Sequence, residues 1–133
     1  MIVDVRLTSL VILAALAAAP GCSREPAGQK PVDQPPPGDP ARGVAALEKY
    51  SCGSCHVIPG VREATGTVAP SLEGIASRPQ LAGNLPNTPE NLRRWIQRPQ
   101  EVAEGTDMPD MGVTDQDALD IAAHLSTLKS TAK

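Results

Sequence analysis

Cys52-Gly53-Ser54-Cys55-His56 decides how the rest of this chain is read. Cys-x-x-Cys-His is the pattern by which two thiols attach a haem through thioether bonds while the adjacent histidine ligates the iron. Two residues between the cysteines let both sulfurs reach the two vinyl-derived carbons on one edge of a porphyrin, and the next imidazole then falls beneath the metal. Two other uses of these residues fit less well. Zinc takes about four ligands, and beyond the motif the chain offers only Cys22, His124 and carboxylates. A dithiol redox pair normally sits beside a βαβ pattern, and no β-branched, strand-rich run lies near Cys52. The motif predicts one covalent haem c, with His56 on its iron.

The 133 residues allow one small domain with appendages. Such a domain has a limited core of its own, and this one has no Phe, one Trp and one Tyr. A buried haem would supply the flat apolar surface that aromatic side chains usually provide. The net charge of −3 gives no reason to expect a nucleic acid partner. Acidic residues crowd one stretch, Glu101, Glu104, Asp107, Asp110, Asp115, Asp117 and Asp120, after Arg93, Arg94 and Arg98. Most read as a solvated charged face.

The third cysteine, Cys22, follows a different signal. Leu7 to Ala19 is an apolar run of about thirteen residues, short for a bilayer span but suited to the core of a secretory leader. Ala19-Pro20-Gly21-Cys22 then resembles a bacterial lipoprotein cleavage site, so residues 1–21 are expected to be a leader and Cys22 a lipidated mature N-terminus. Ordinary cleavage with a free thiol is the alternative. Either route exports the chain, to the periplasm or the outer face of the cytoplasmic membrane, where bacteria attach haem to this motif. Residues 22–38, with Pro26, Pro31 and Pro35-Pro36-Pro37, cannot bury a core. They read as an extended tether reaching up to about 50 Å at ~3.1 Å per residue.

The domain itself is expected over 39–129, with a short tail at 130–133. Asp39-Pro40 is a helix start, a cap followed by a first-turn proline. Val44, Leu47 and Tyr50 should share a face, and Gly43 could permit a close helix crossing. Val57 to Leu81 has no helical period and reads as a loop wrapped around the haem. Thr88-Pro89 opens a second helix with Leu92, Trp95 and Ile96 apolar, and Pro99 closes it. Thr114 caps a last helix with Ala118, Ile121, Ala122, Leu125 and Leu128 in a stripe. No stretch calls for a sheet. The second axial position on the iron has three candidates, Met108, Met111 and His124. Met108, before a proline in a loop between helices, is the first choice; His124, inside a regular helix, reads as an interface residue.

With these residues in place, the chain resembles the class I c-type cytochromes, and more narrowly the small cytochromes and cytochrome domains associated with bacterial haem-copper oxidases. The resemblance covers Asp39 to Leu128. It is carried by Cys52-Gly53-Ser54-Cys55-His56, Val68-Ala69-Pro70-Ser71-Leu72 with Gly74 and Arg78, Asn87-Thr88-Pro89-Glu90-Asn91-Leu92 with Trp95, Pro99-Gln100, Met108-Pro109, and Asp120-Ile121-Ala122-Ala123 with Leu125. It implies an all-α small cytochrome c fold, three to four helices and long loops around one haem. It implies that Cys52 and Cys55 bind haem, that His56 and Met108 ligate iron, that the Pro70 carbonyl accepts the other His56 N–H, and that Trp95 and Arg78 meet a propionate. Leu47 and His124 stand where the terminal helices often carry aromatics, so a looser crossing is expected. Ala103-Glu104-Gly105 replaces a common Lys-Pro-Gly and makes the methionine loop more acidic. The function implied is a monomeric single-electron carrier, not an enzyme, between a quinol-oxidising complex and a terminal oxidase. The alternatives are a fixed relay subunit of a membrane complex, or a gas-binding or peroxidase-type protein with a displaceable sixth ligand.

Overall fold

Asp39 begins the fold by doing two things at once. Its carboxylate accepts from the backbone N–H groups of Ala41 and Arg42 at 2.8 and 2.9 Å, capping helix α1 (Pro40–Lys49), and its own N–H donates to Asp120 Oδ1 at 2.7 Å. The structure, a computed structural model, describes residues 37–131. The expected leader, Cys22 and the tether up to residue 36 lie outside the described residues.

Four α-helices follow from local signals. Thr88 caps α2 (Pro89–Gln97), accepting from the Asn91 N–H at 3.2 Å. Pro99 stops α2, but its fixed φ suits a first turn, so the chain restarts as the single turn α3 (Pro99–Val102). Thr114 caps α4 (Asp115–Leu125) through Asp117 N–H at 3.2 Å. That helix ends before Leu128, which packs against the core from the following turn.

Helices α1 and α4 cross to form the spine. The buried face of α1 is Gly43, Ala46 and Leu47; of the expected Val44, Leu47 and Tyr50, Leu47 is in the core and Tyr50 packs against it, while Val44 is only half-buried. A Cβ on Gly43 would overlap the Asp120 carbonyl, so the helices touch along the glycine. Leu47 and Ile121 are each 1% exposed in the core. Asp120, read as part of a solvated face, is 2% exposed. Its carboxylate accepts from Arg42 Nε and Nη2 at 2.8 and 2.9 Å, and from Gln116 Nε2 at 3.0 Å. These bonds offset the cost of burying a charge. At the other end of α1, Asp117 accepts from Tyr50 Oη and Lys49 Nζ, both at 2.7 Å.

Between α1 and α2 the chain is mostly irregular, as expected, and is laced to its surroundings by backbone bonds. Leu72 N–H donates to Val57 at 2.8 Å, and Ala76 N–H donates to Leu128 at 3.0 Å. A one-turn 3₁₀ helix spans Ile75–Ser77. The expectation of no sheet is corrected in miniature: β1 (Gln80–Leu81) pairs antiparallel with β2 (Leu85–Pro86). Two residues per strand are too few to show a period of two in sequence. The core joins Ile58, Ala64, Ile75 and Leu81 of this segment to Leu92 and Ile96 of α2 and to Ala118, Ile121 and Leu125 of α4. Among the described residues no helix is long and apolar enough to cross a membrane.

Candidate cofactor site

Ser51, in the left-handed region at φ 53°, swings the chain off α1 into a tight 3₁₀ turn, Cys52–Ser54. His56 N–H donates to the Cys52 carbonyl at 3.0 Å, so Cys52, Cys55 and His56 are gathered within a single turn. The following loop lies against this turn. Gly66 N–H donates to Gly53 and Ala69 N–H to Cys55, both at 3.0 Å. A Cβ on Gly66 would strike the Ser54 and Cys55 backbone, so only glycine allows the approach.

That lacing places Pro70 beside His56. The His56 Nδ1 lies 2.7 Å from the Pro70 carbonyl oxygen. A carbonyl can only accept, so Nδ1 carries the proton and Nε2 keeps its lone pair free as a metal ligand. Cys52 and Cys55 are both half-buried. Among the described residues no group of three His, Cys, Asp or Glu gathers as a metal-ion site.

A cavity of about 530 Å³ opens over this turn. Its size falls in the roughly 300–1,000 Å³ range of cofactor clefts. One wall carries Cys55, His56, Pro70 and Leu72; another carries Ile75, Arg78, Leu81 and the β1–β2 turn; Trp95 of α2 and the loop Ala103–Pro109 complete it. Six of the seven expected site residues, Cys55, His56, Pro70, Arg78, Trp95 and Met108, border this one space. Cys52 sits beside it, half-buried and packed against the core. Arg78 is partly committed elsewhere, since its Nη2 donates to the Ser71 and Glu73 carbonyls.

The three candidates for a sixth ligand separate clearly. Met108 is half-buried on the cavity wall. Met111 is 42% exposed and not on that wall. His124 is buried on α4, away from the cavity, with Nε2 3.2 Å from the Pro59 carbonyl. An apolar cleft with a nitrogen lone pair and a thioether on its walls, and a thiol pair at its edge, suits an iron porphyrin held by soft and borderline donors.

Two groups near the site were not assigned roles by the sequence. Asn87 Nδ2 donates to the Ile75 and Arg78 carbonyls, both at 2.8 Å, and so fixes the wall that carries Arg78. Gln100 Nε2 donates to the Thr106 and Met108 carbonyls. Both lie in motif stretches, but nothing local in sequence distinguishes an amide that solvates itself from one that pins a distant loop.

A protein-family model described as Cytochrome c matches residues 40–129. The chain is 39% identical over 92 residues to a cytochrome c oxidase subunit 2 of Alkalihalophilus pseudofirmus, covering 66% of this chain but 25% of that protein. It is 33% identical over 107 residues to cytochrome c2 of Rhodopila globiformis, covering 71% of this chain and 97% of the relative. The chain thus spans about a quarter of the length of the oxidase subunit and nearly all of the small cytochrome. The crystal structure of cytochrome c2 from Rhodobacter sphaeroides superposes with a TM-score of 0.57 at 21% identity, covering 71% of this chain and 99% of that one, which shows a shared fold.

Proposed function

The chain belongs to the cytochrome c family, and with it carries one covalently bound haem c; from that premise we propose that it is a single-electron carrier whose iron is closed on both sides by its own side chains. The observation that carries this reading is the common cavity of Cys55, His56 and Met108, with His56 Nδ1 already spent on Pro70.

The haem supplies a one-electron iron couple when bound. The residues do the rest. Cys52 and Cys55 fix the group covalently at its edge. Pro70 holds the His56 ring in one tautomer and raises its basicity toward the metal. Met108 presents a thioether, and a His/Met pair raises the reduction potential. His56 and Met108 would together hold the iron and leave no position on it for a substrate, and on this reading the chain transfers electrons and is not an enzyme. Trp95 and the remaining donors of Arg78 would meet the propionates. Apolar Leu72, Ile75 and Leu81 of the cavity lining would exclude water from the bound group.

The partner reading rests on the relatives. The oxidase subunit 2 similarity supports a terminal oxidase as electron acceptor; the donor we propose is an upstream quinol-oxidising complex. It also favours a second reading, in which the domain is a fixed relay within such a complex rather than a free monomer. Purification under mild detergent separates them: a free monomer supports the carrier, and stable co-purification with oxidase subunits supports the relay. In both, the proposal is that residues 1–21 export the chain, either to the periplasm after ordinary cleavage or to the outer face of the cytoplasmic membrane with Cys22 as a lipid anchor.

The ligand assignment has a direct spectroscopic test. Met108→Ala should abolish the weak absorption at the red end of the ferric spectrum that reports thioether on iron, and should let the ferrous protein bind carbon monoxide promptly. Met111→Ala should do neither. The reverse pattern would move the ligand to Met111, and loss of the band in neither variant would remove the carrier reading.

A further inference from the structure

The loop that presents Met108 is held down by remarkably little for a segment bordering the cofactor cleft. Within it, Thr106 N–H closes a turn on Ala103 at 3.1 Å, and Met108 N–H reaches Thr106 Oγ1 at 3.4 Å. Both bonds are local and would survive if the loop swung away as a unit. Among the described residues, the only hydrogen bonds from outside residues 103–112 to this loop's carbonyls come from Gln100, whose Nε2 donates to Thr106 at 2.8 Å and to Met108 at 3.0 Å. Gln100 can hold the loop because its own position is fixed. It follows Pro99, one of the most deeply buried residues of the chain, in the single turn α3, which packs against α2.

We propose that Gln100 is a positioning residue for the sixth ligand: its carboxamide latches the Met108 loop and thereby sets how long the thioether stays on the iron. This deepens the proposed function and rests on its assignment of Met108. Both N–H groups of one amide are needed to bridge the two carbonyls, and the geometry is a planar fork whose hydrogens diverge to successive acceptors. Since Gln100 is exposed, its removal should free the loop without disturbing the scaffold. A pair of hydrogen bonds worth together about 1.4 kcal/mol corresponds to about a tenfold change in the opening equilibrium.

The experiment measures the rate at which imidazole replaces the thioether on the ferric protein, taken at saturating imidazole, where opening of the loop limits the reaction. Gln100→Leu, similar in size but without donors, should raise this rate about tenfold and lower the pH at which the red-end absorption disappears. Gln100→Arg, which restores N–H donors and does not ligate iron, should return both toward wild type. A Gln100→Leu rate within twofold of wild type would overturn the proposal, as would an equal acceleration in Gln100→Arg. Failure of the underlying reading looks different: the wild-type protein would then lack the red-end absorption, or keep it in Met108→Ala.

Discussion

The α1–α4 crossing and the methionine loop are built on opposite plans. At the crossing, each fixed point is secured several times: Gly43 sets backbone contact, Asp120 collects four N–H bonds, and Tyr50 and Lys49 converge on Asp117. The loop carrying Met108 is exposed over most of its length and depends on one side-chain amide. The histidine side of the site sides with the crossing, since Gly66, Ala69 and Pro70 are all bonded into the Cys52–His56 turn. The lesson is that the two side chains proposed to hold the iron sit on structure of unequal firmness. His56 belongs to the scaffold, whereas Met108 belongs to a loop that the scaffold barely restrains.

The largest effect should come from breaking the firm region. Gly43→Val would drive a branched side chain into the Asp120 carbonyl, and we expect a loss of about 3 kcal/mol in unfolding free energy, measured by denaturant melts of the holoprotein. The molecules that remain folded should keep the red-end absorption, because the flap is untouched. Loss of that band at unchanged stability would erase the contrast between the regions.

A smaller effect tests the same seam by pH. Asp120→Asn should cost about 2 kcal/mol at neutral pH, as bonds to a charged acceptor become bonds to a neutral one. The Arg42 hydrogen bond is the chief cause holding the Asp120 carboxyl below its ordinary 3.8, against the opposing effect of burial. Because the folded state favours the ionised form, this stabilisation is complete above the ordinary carboxylate range and drains away as pH falls through the lower folded value. The melting curves of wild type and Asp120→Asn should therefore converge below about pH 4. A gap that persists to the lowest pH at which both fold would show that the charge is not what secures the crossing.

The smallest expected effect lies on the cavity wall. Ala82 turns β1 into β2 at φ 43°, where an L side chain is strained. Ala82→Gly should stabilise the protein by about 0.5–1 kcal/mol, read as a rise in melting temperature, without altering the ligand band. A decrease would mean that the Ala82 methyl group contributes more by packing than it costs in strain.

How much of this was legible in advance follows the same division. The caps were plain: Asp39-Pro40, Thr88-Pro89 and Thr114 each start a helix where local chemistry says one should start. The pentapeptide announced the cofactor, and Pro109 beside Met108 favoured, of the two methionines in that loop, the one that borders the cavity. What could not be read was anything decided across the fold. Val44 was expected on the buried face of α1 beside Leu47 and Tyr50, but Gly43 and Ala46 are buried there, because the partner that selects Gly43 lies on α4. Asp120 looked like its six acidic neighbours on the surface, since only the crossing brings Arg42 and the Asp39 N–H to it. The two-residue strands left no pattern, and the role of Gln100 depends on where Met108 comes to rest.

The double engagement of Asp39 has a mechanical meaning. One residue both starts the first helix and clasps the last one, so tension arriving along the preceding chain is delivered into the strongest joint of the molecule. A pull arriving at Gly38 is therefore shared at one residue between the first and last helices, instead of being carried by α1 alone towards Cys52.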